Sequence, residues 1–220
     1  FSAVGGNQVE VLPEYDNILQ DITQEISKAK HTVNLEFFIM HLDDSTVPLF
    51  NAIEAAIKRG VKVRGLIDAM GYKRYPNIKQ MRKELTRMGA DWHLMLPIKL
   101  SRNYTRPDLR NHRKILTIDD KLVYIGSLNL IKRTYHRKDD MYYDELVVKM
   151  RGPIVSQCND IFATDWLAET GEQLYHMKAG KNVVTKPKGT VLAQMIPSGP
   201  SYEYLGNLQV FVQLFHLAKE

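Results

Sequence analysis

The chain has 220 residues, enough for one full domain with chain to spare but short of two complete ones. Its 44% hydrophobic and 25% charged residues, with 13 Gly and 9 Pro, exclude collagen-like and disordered classes, and no apolar run approaches the ~18 residues of a membrane span. The formal charge of +5 is unevenly placed: residues 99–138 hold eleven Lys or Arg against three Asp, leaving the remainder at −3 and predicting an anionic partner for the basic stretch.

Periodicity predicts strands and helices in alternation. Residues 9–12 read as a short strand, and 15–30 as a helix with Ile18, Leu19, Ile22, Ile26 and Ala29 on one face. Residues 32–40 are β-branched and aromatic, a central strand in which Glu36 is the jarring member, lining either a site wall or a solvated face. Ser45 and Thr46 are expected to cap a helix bearing Leu49, Ile53, Ala56 and Ile57 and ending at Gly60. A strand over 61–67, a helix over 78–88 and a strand over 92–96 follow, and this alternation predicts parallel pairing. After a polar basic loop, 115–118 and 122–125 form a hairpin about Asp119 and Asp120, with a second polar loop over 132–140. A strand over 145–150 and a helix opened by Gly152-Pro153 and reaching Ala168 complete the pattern. The expected fold class is an α/β sandwich with a mixed, largely parallel sheet and helices on both faces.

Residues 169–189 read as a linker, and an echo of the first helix follows at an offset of 189 residues. Gln24, Ala29 and Lys30 match Gln213, Ala218 and Lys219, so the chain divides into a domain at 1–190 and the start of a second, truncated repeat at 191–220.

The chemistry concentrates in one stretch. His112 and Lys114 stand two residues apart, so on an extended chain they share a face, and a nucleophile or base meets a fixed cation. Ser127 and Asn129, past the second arm of the hairpin, add donors around a tetrahedral anion, while Gly126 allows close backbone approach. This set suits phosphoryl transfer without a metal. No His, Cys and carboxylate cluster stands at ligand spacing, so neither metal nor cofactor is expected; Asp119 and Asp120 sit at a turn away from His112. Tyr104, Tyr135, Tyr142 and Tyr143 border the basic loops as candidate stacking or acyl-contact residues.

The spacing His-x-Lys-x4-Asp-x6-Gly-Ser-x-Asn from His112 to Asn129 resembles the HKD signature of the phospholipase D superfamily. The flanking Leu35-Glu36-Phe37-Phe38-Ile39, Arg110-Asn111-His112-Arg113-Lys114, Gly152-Pro153-Ile154-Val155, Phe162-Ala163-Thr164-Asp165-Trp166 and Ser198-Gly199-Pro200 look like the amino-terminal half of bacterial cardiolipin synthases. The resemblance implies a phospholipase D-like fold and a phosphatidyltransferase that joins two phosphatidylglycerols and releases glycerol through a phosphohistidine on His112. Lys114 and Asn129, with Ser127, would hold phosphate; Asp119 belongs to the motif as a loop support; Glu145 would orient the imidazole, with Asp144 competing for that role. The partners implied are phosphatidylglycerol, an anionic membrane surface, and a carboxyl-terminal HKD half or a homodimer mate, with nucleic acid not expected. The alternatives are a homodimeric phosphodiesterase or nuclease of the superfamily, and a half that binds headgroups without catalysis. The resemblance places the parent protein at the cell membrane with this piece soluble, and the single Cys158 favours a reducing, cytoplasm-facing setting.

Overall fold

The computed structural model describes residues 1–73, 78–97, 108–135, 143–174, 186–199, 202 and 206–219. Strands β1 (Val4–Leu12), β2 (Thr32–Phe37), β3 (Lys62–Asp68), β4 (Asp91–Met95), β5 (Ile115–Ile118), β6 (Leu122–Gly126), β7 (Val147–Arg151) and β8 (Val191–Ala193) form one eight-stranded sheet in the order β4-β3-β2-β5-β6-β7-β1-β8. The helices are α1 (Tyr15–Lys28), α2 (Val47–Lys58), α3 (Ala69–Lys73), α4 (Ile78–Met88), α5 (Ile154–Thr170) and α6 (Gly206–Leu217).

The sheet is mixed, as expected, yet it is not largely parallel. Only β2 with β3 and β3 with β4 run parallel, and the other pairs are antiparallel. Helical crossovers join the three parallel strands, whereas β5 and β6 are the arms of a tight hairpin, which can pair only antiparallel.

Helices cover both faces. Ile18, Ile22 and Ile26 of α1, Phe50 and Ile53 of α2, and Met81 and Leu85 of α4 pack with Val33, Leu35, Phe37 and Leu116 on one side. Ile154, Val155, Cys158 and Ile161 of α5 pack with Ile115, Val123 and Met150 on the other. Between these layers β2 is buried along nearly its whole length, with Val33, Leu35 and Phe37 in the core on one face and the buried polar Asn34 and Glu36 on the other. The same burial overturns the solvated-face reading of Glu36, whose side chain lies under α5.

Three local details depart from the sequence reading. The start of α2 is organised by Asp43 rather than by the Ser45 and Thr46 hydroxyls: its carboxylate accepts from the Ser45 and Thr46 amides at 3.0 and 3.2 Å. Helix α3 is an unforeseen turn after β3, begun by Asp68, which accepts from the Met70 amide at 2.8 Å. Strand β8 pairs with β1, so residue 190 does not mark the edge of this sheet. Among the described residues no helix is long and apolar enough to cross a membrane.

Candidate active site

The site lies where the chain enters β5. Four residues there, 111 to 114, alternate sides as extended chain must. His112 and Lys114 face the α1 side, and Asn111 and Arg113 face α5.

Lys114 Nζ lies 2.9 Å from His112 Nδ1 and 3.3 Å from Nε2, and it donates to the His112 carbonyl at 2.8 Å. The Phe38 ring, just past β2, packs against the imidazole at 4.7 Å between centroids and lies 5.8 Å from the ammonium. The lysine stem lines a small apolar recess with Ile22, Phe37 and Leu128. Lys114 is only 5% exposed, and burial pushes its ammonium down to about 8, with the Glu145 charge pulling the other way. Burial and the Lys114 charge hold the His112 imidazole below its ordinary value, against an opposing pull from Asp68. The ring is therefore a free base at neutral pH, the form that can attack phosphorus.

The segment after β6 is drawn beside this pair. Gly126 has no room for a side chain, since a Cβ there would stand 2.2 Å from the Leu146 carbonyl oxygen. Leu130 exchanges backbone hydrogen bonds with Ile39 and His41, and the Tyr15 hydroxyl donates to the Ile131 carbonyl. Asn129 is consequently buried, with Oδ1 accepting from the Ile39 amide at 3.1 Å and Nδ2 turned toward the Tyr135 hydroxyl at 3.4 Å. Its amide is thus anchored next to Phe38.

Asp119 keeps the supporting role expected of it, whereas those expected of Glu145, Ser127 and Asp144 change. Asp119 is no part of the pocket: at the far end of β5, roughly 17 Å of strand from Lys114, its carboxylate accepts from the amides of Lys30, His31 and Thr32 at 2.9, 2.7 and 2.9 Å. Glu145 does not reach His112; it accepts from the Ser127 hydroxyl at 2.5 Å. Ser127 thereby spends its proton on Glu145 and accepts from the Leu146 amide, so its hydroxyl is not free to donate to phosphate. Asp144 does not compete: its side chain is 97% exposed and paired with Arg133 at 2.8 Å. Among the described residues no group of three or more His, Cys, Asp or Glu side chains could hold a metal ion.

The basic stretch is partly neutralised within the fold. Arg110 pairs with Asp68 at 3.4 Å, and Arg113 pairs with Glu36 and Asp165 at 3.1 and 2.6 Å. Lys99, Arg102, Arg106, Arg137 and Lys138, with Tyr104 and Tyr142, lie outside the described residues. Tyr135 and Tyr143 stack on each other at 5.3 Å. Sequence reasoning missed Asp68 altogether, although an acid closing an apolar strand was a visible signal. Besides starting α3, it accepts from the Asn111 amide at 3.1 Å, directly ahead of His112.

A family model described as "Cardiolipin synthase, PLD-like domain" matches residues 22–166. Cardiolipin synthase A of Wigglesworthia glossinidia brevipalpis is 30% identical over all of this chain and 45% of its own length, and that of Proteus mirabilis 28% over all of this chain and 46% of its own. The chain therefore spans a little under half the length of these curated relatives. Among solved structures, the phospholipase D family member Nuc from Salmonella typhimurium superposes with a TM-score of 0.55 at 18% identity, covering 73% of this chain and 94% of Nuc. NucT from Helicobacter pylori gives 0.54 at 20% identity, covering 74% and 96%.

Proposed function

Because the chain belongs to the phospholipase D-like domain family of cardiolipin synthases, we propose that it is one half of a phosphatidyltransferase centre. His112 attacks the phosphorus of phosphatidylglycerol and glycerol departs. The phosphohistidine then yields its phosphatidyl group to the hydroxyl of a second phosphatidylglycerol. The observation that carries this reading is the 2.9 Å approach of the buried Lys114 ammonium to the His112 imidazole. Lys114 and the Asn129 Nδ2 hold the non-bridging oxygens as charge gathers on them. Glu145 supports the site indirectly, through the Ser127 hydroxyl and through its charge on Lys114.

Departing glycerol needs a proton, and one imidazole cannot act on both sides of an in-line displacement. A second histidine therefore comes from another HKD half. The parent protein works at an anionic membrane surface, with this unit facing the cytoplasm.

Vesicles of phosphatidylglycerol labelled in the phosphate test the reading. Acid-labile label should appear on the wild-type protein joined to its other half and vanish in His112→Asn; equal labelling of that variant overturns the assignment. Binding of short DNA in preference to the vesicles at matched salt would instead favour a phosphodiesterase or nuclease built from two copies of this chain.

A further inference from the structure

Asn111 and Arg113, on either side of His112, both turn to the α5 face and meet the same buried acid. Glu36 Oε1 accepts from Asn111 Nδ2 at 2.8 Å and from Arg113 Nε at 3.1 Å. Arg113 Nη2 also donates to Asp165 Oδ2 at 2.6 Å, and Nη1 to the Ser198 carbonyl at 3.0 Å. The Asn111 side chain closes back over the histidine, its Oδ1 accepting from the Arg113 amide at 2.9 Å. The His112 backbone is thus tied down on both flanks from beneath the sheet.

The charges of this cluster do not balance with every group ionised. Glu36 and Asp165 are buried carboxyls, and Arg113 is the cation they share. An uncompensated negative charge at such depth is strongly disfavoured. Glu36 Oε2 is buried without a hydrogen-bond partner, and Asp165 is its neighbour across two shared donors: Arg113, and Asn111 Nδ2 at 2.8 Å from Glu36 Oε1 and 3.5 Å from Asp165 Oδ2. Two carboxylates cannot bond to each other, but a carboxylic acid can donate to a carboxylate.

We infer that Glu36 and Asp165 hold one proton between them, and that this neutral cluster positions His112 through Asn111 and Arg113. Glu36 is a positioning residue, because it touches neither the imidazole nor the phosphate site. One proton satisfies the orphan oxygen and reduces the cluster to a single anion against a single cation. Burial, and then the Asp165 charge, push Glu36 up to about 8 against the pull of Arg113 and Asn111, in keeping with this arrangement. Among the described residues, ionisable groups near it include Tyr202, whose ring lies 5.6 Å from the Arg113 guanidinium, and Asp68 with Arg110, which pair with each other. The functional meaning of the positioning rests on His112 being the nucleophile, but the proton and the tether can be measured without substrate.

The test uses the 220-residue chain at neutral pH, with infrared spectroscopy and with ring-labelled histidine in NMR. Wild type should show the carbonyl stretch of a protonated carboxyl. Either Glu36→Gln or Asp165→Asn alone should abolish it, because the remaining carboxylate ionises against Arg113. The His112 titration should be unchanged in Glu36→Gln, which keeps the acceptor. In Glu36→Met, which fills the volume but accepts nothing, it should move by about half a pH unit, or threefold in proton affinity. Absence of the infrared band in wild type overturns the shared proton, and an unmoved His112 titration in Glu36→Met overturns the positioning role. Loss of phosphatidyl transfer for another reason would leave both measurements intact.

Discussion

Lys114 is a cation held among apolar groups, with the carbonyl and the imidazole of His112 as its near partners. Its folded value of about 8 lies below the ordinary 10.5, so the folded state binds fewer protons than the unfolded one between those limits. Burying the charged form therefore weakens the fold below about pH 8, and the penalty is relieved as pH rises toward 10.5. A bound phosphate reverses the preference, so inorganic phosphate should bind with proton uptake near pH 8 and lose affinity above it. Titration calorimetry in two buffers of different ionisation enthalpy reads the uptake directly, and identical heats in both would contradict it. Asp119 illustrates the opposite case. Burial raises its carboxyl, but the amides of Thr32, Lys30 and His31 outweigh this and hold it below the ordinary 3.8. Its stabilising effect is present above that value and is lost as pH falls below it. Asp119→Asn should cost about 1–2 kcal/mol in urea unfolding and flatten the acid limb, with the His112 titration unchanged.

Most of the elements were legible in the sequence because amphipathic spacing reports burial: the apolar faces of α1, α2 and α4 are the ones the sheet covers. Pairing direction was not legible, since the apolar pattern of a strand is the same whether its neighbour runs parallel or antiparallel. The juxtaposition of His112 and Lys114 was readable for a similar reason, as residues two apart on an extended strand share a face. The links of Glu145 to Ser127 and of Glu36 to Arg113 were not, because each joins segments far apart in the chain. The close seam of β6 against β7 is another contact of that kind, and it fixes the residue at 126. A Cβ on Gly126 would stand 2.8 Å from Val147 Cα as well as against the Leu146 carbonyl. Gly126→Ala should destabilise by about 2–3 kcal/mol and disturb the seating of Asn129, visible as weakened inorganic phosphate binding. An alanine variant of wild-type stability and affinity would contradict this account of the seam.

At the scale of the whole molecule, α6 carries Leu208, Phe211, Leu214, Phe215 and Leu217 exposed, and none of its residues is buried. Together with the need for a second proton-transfer group, this leads us to expect little or no phosphatidyl transfer from the 220-residue chain as a monomer. Turnover followed through a dilution series alongside sedimentation decides the matter, and robust activity in a proven monomer would show that one motif suffices. The short strand β8 bears on a different question. It hydrogen-bonds to β1, and Gln194 donates to the Phe1 carbonyl, so the two ends of the first unit are laced together by the chain leading into α6. A chimera of related proteins spliced at residue 190 would lay a foreign strand along a native sheet, with mismatched side chains at the seam. The workable junction lies beyond Ala193, in the stretch before α6, where exchange would leave the sheet whole.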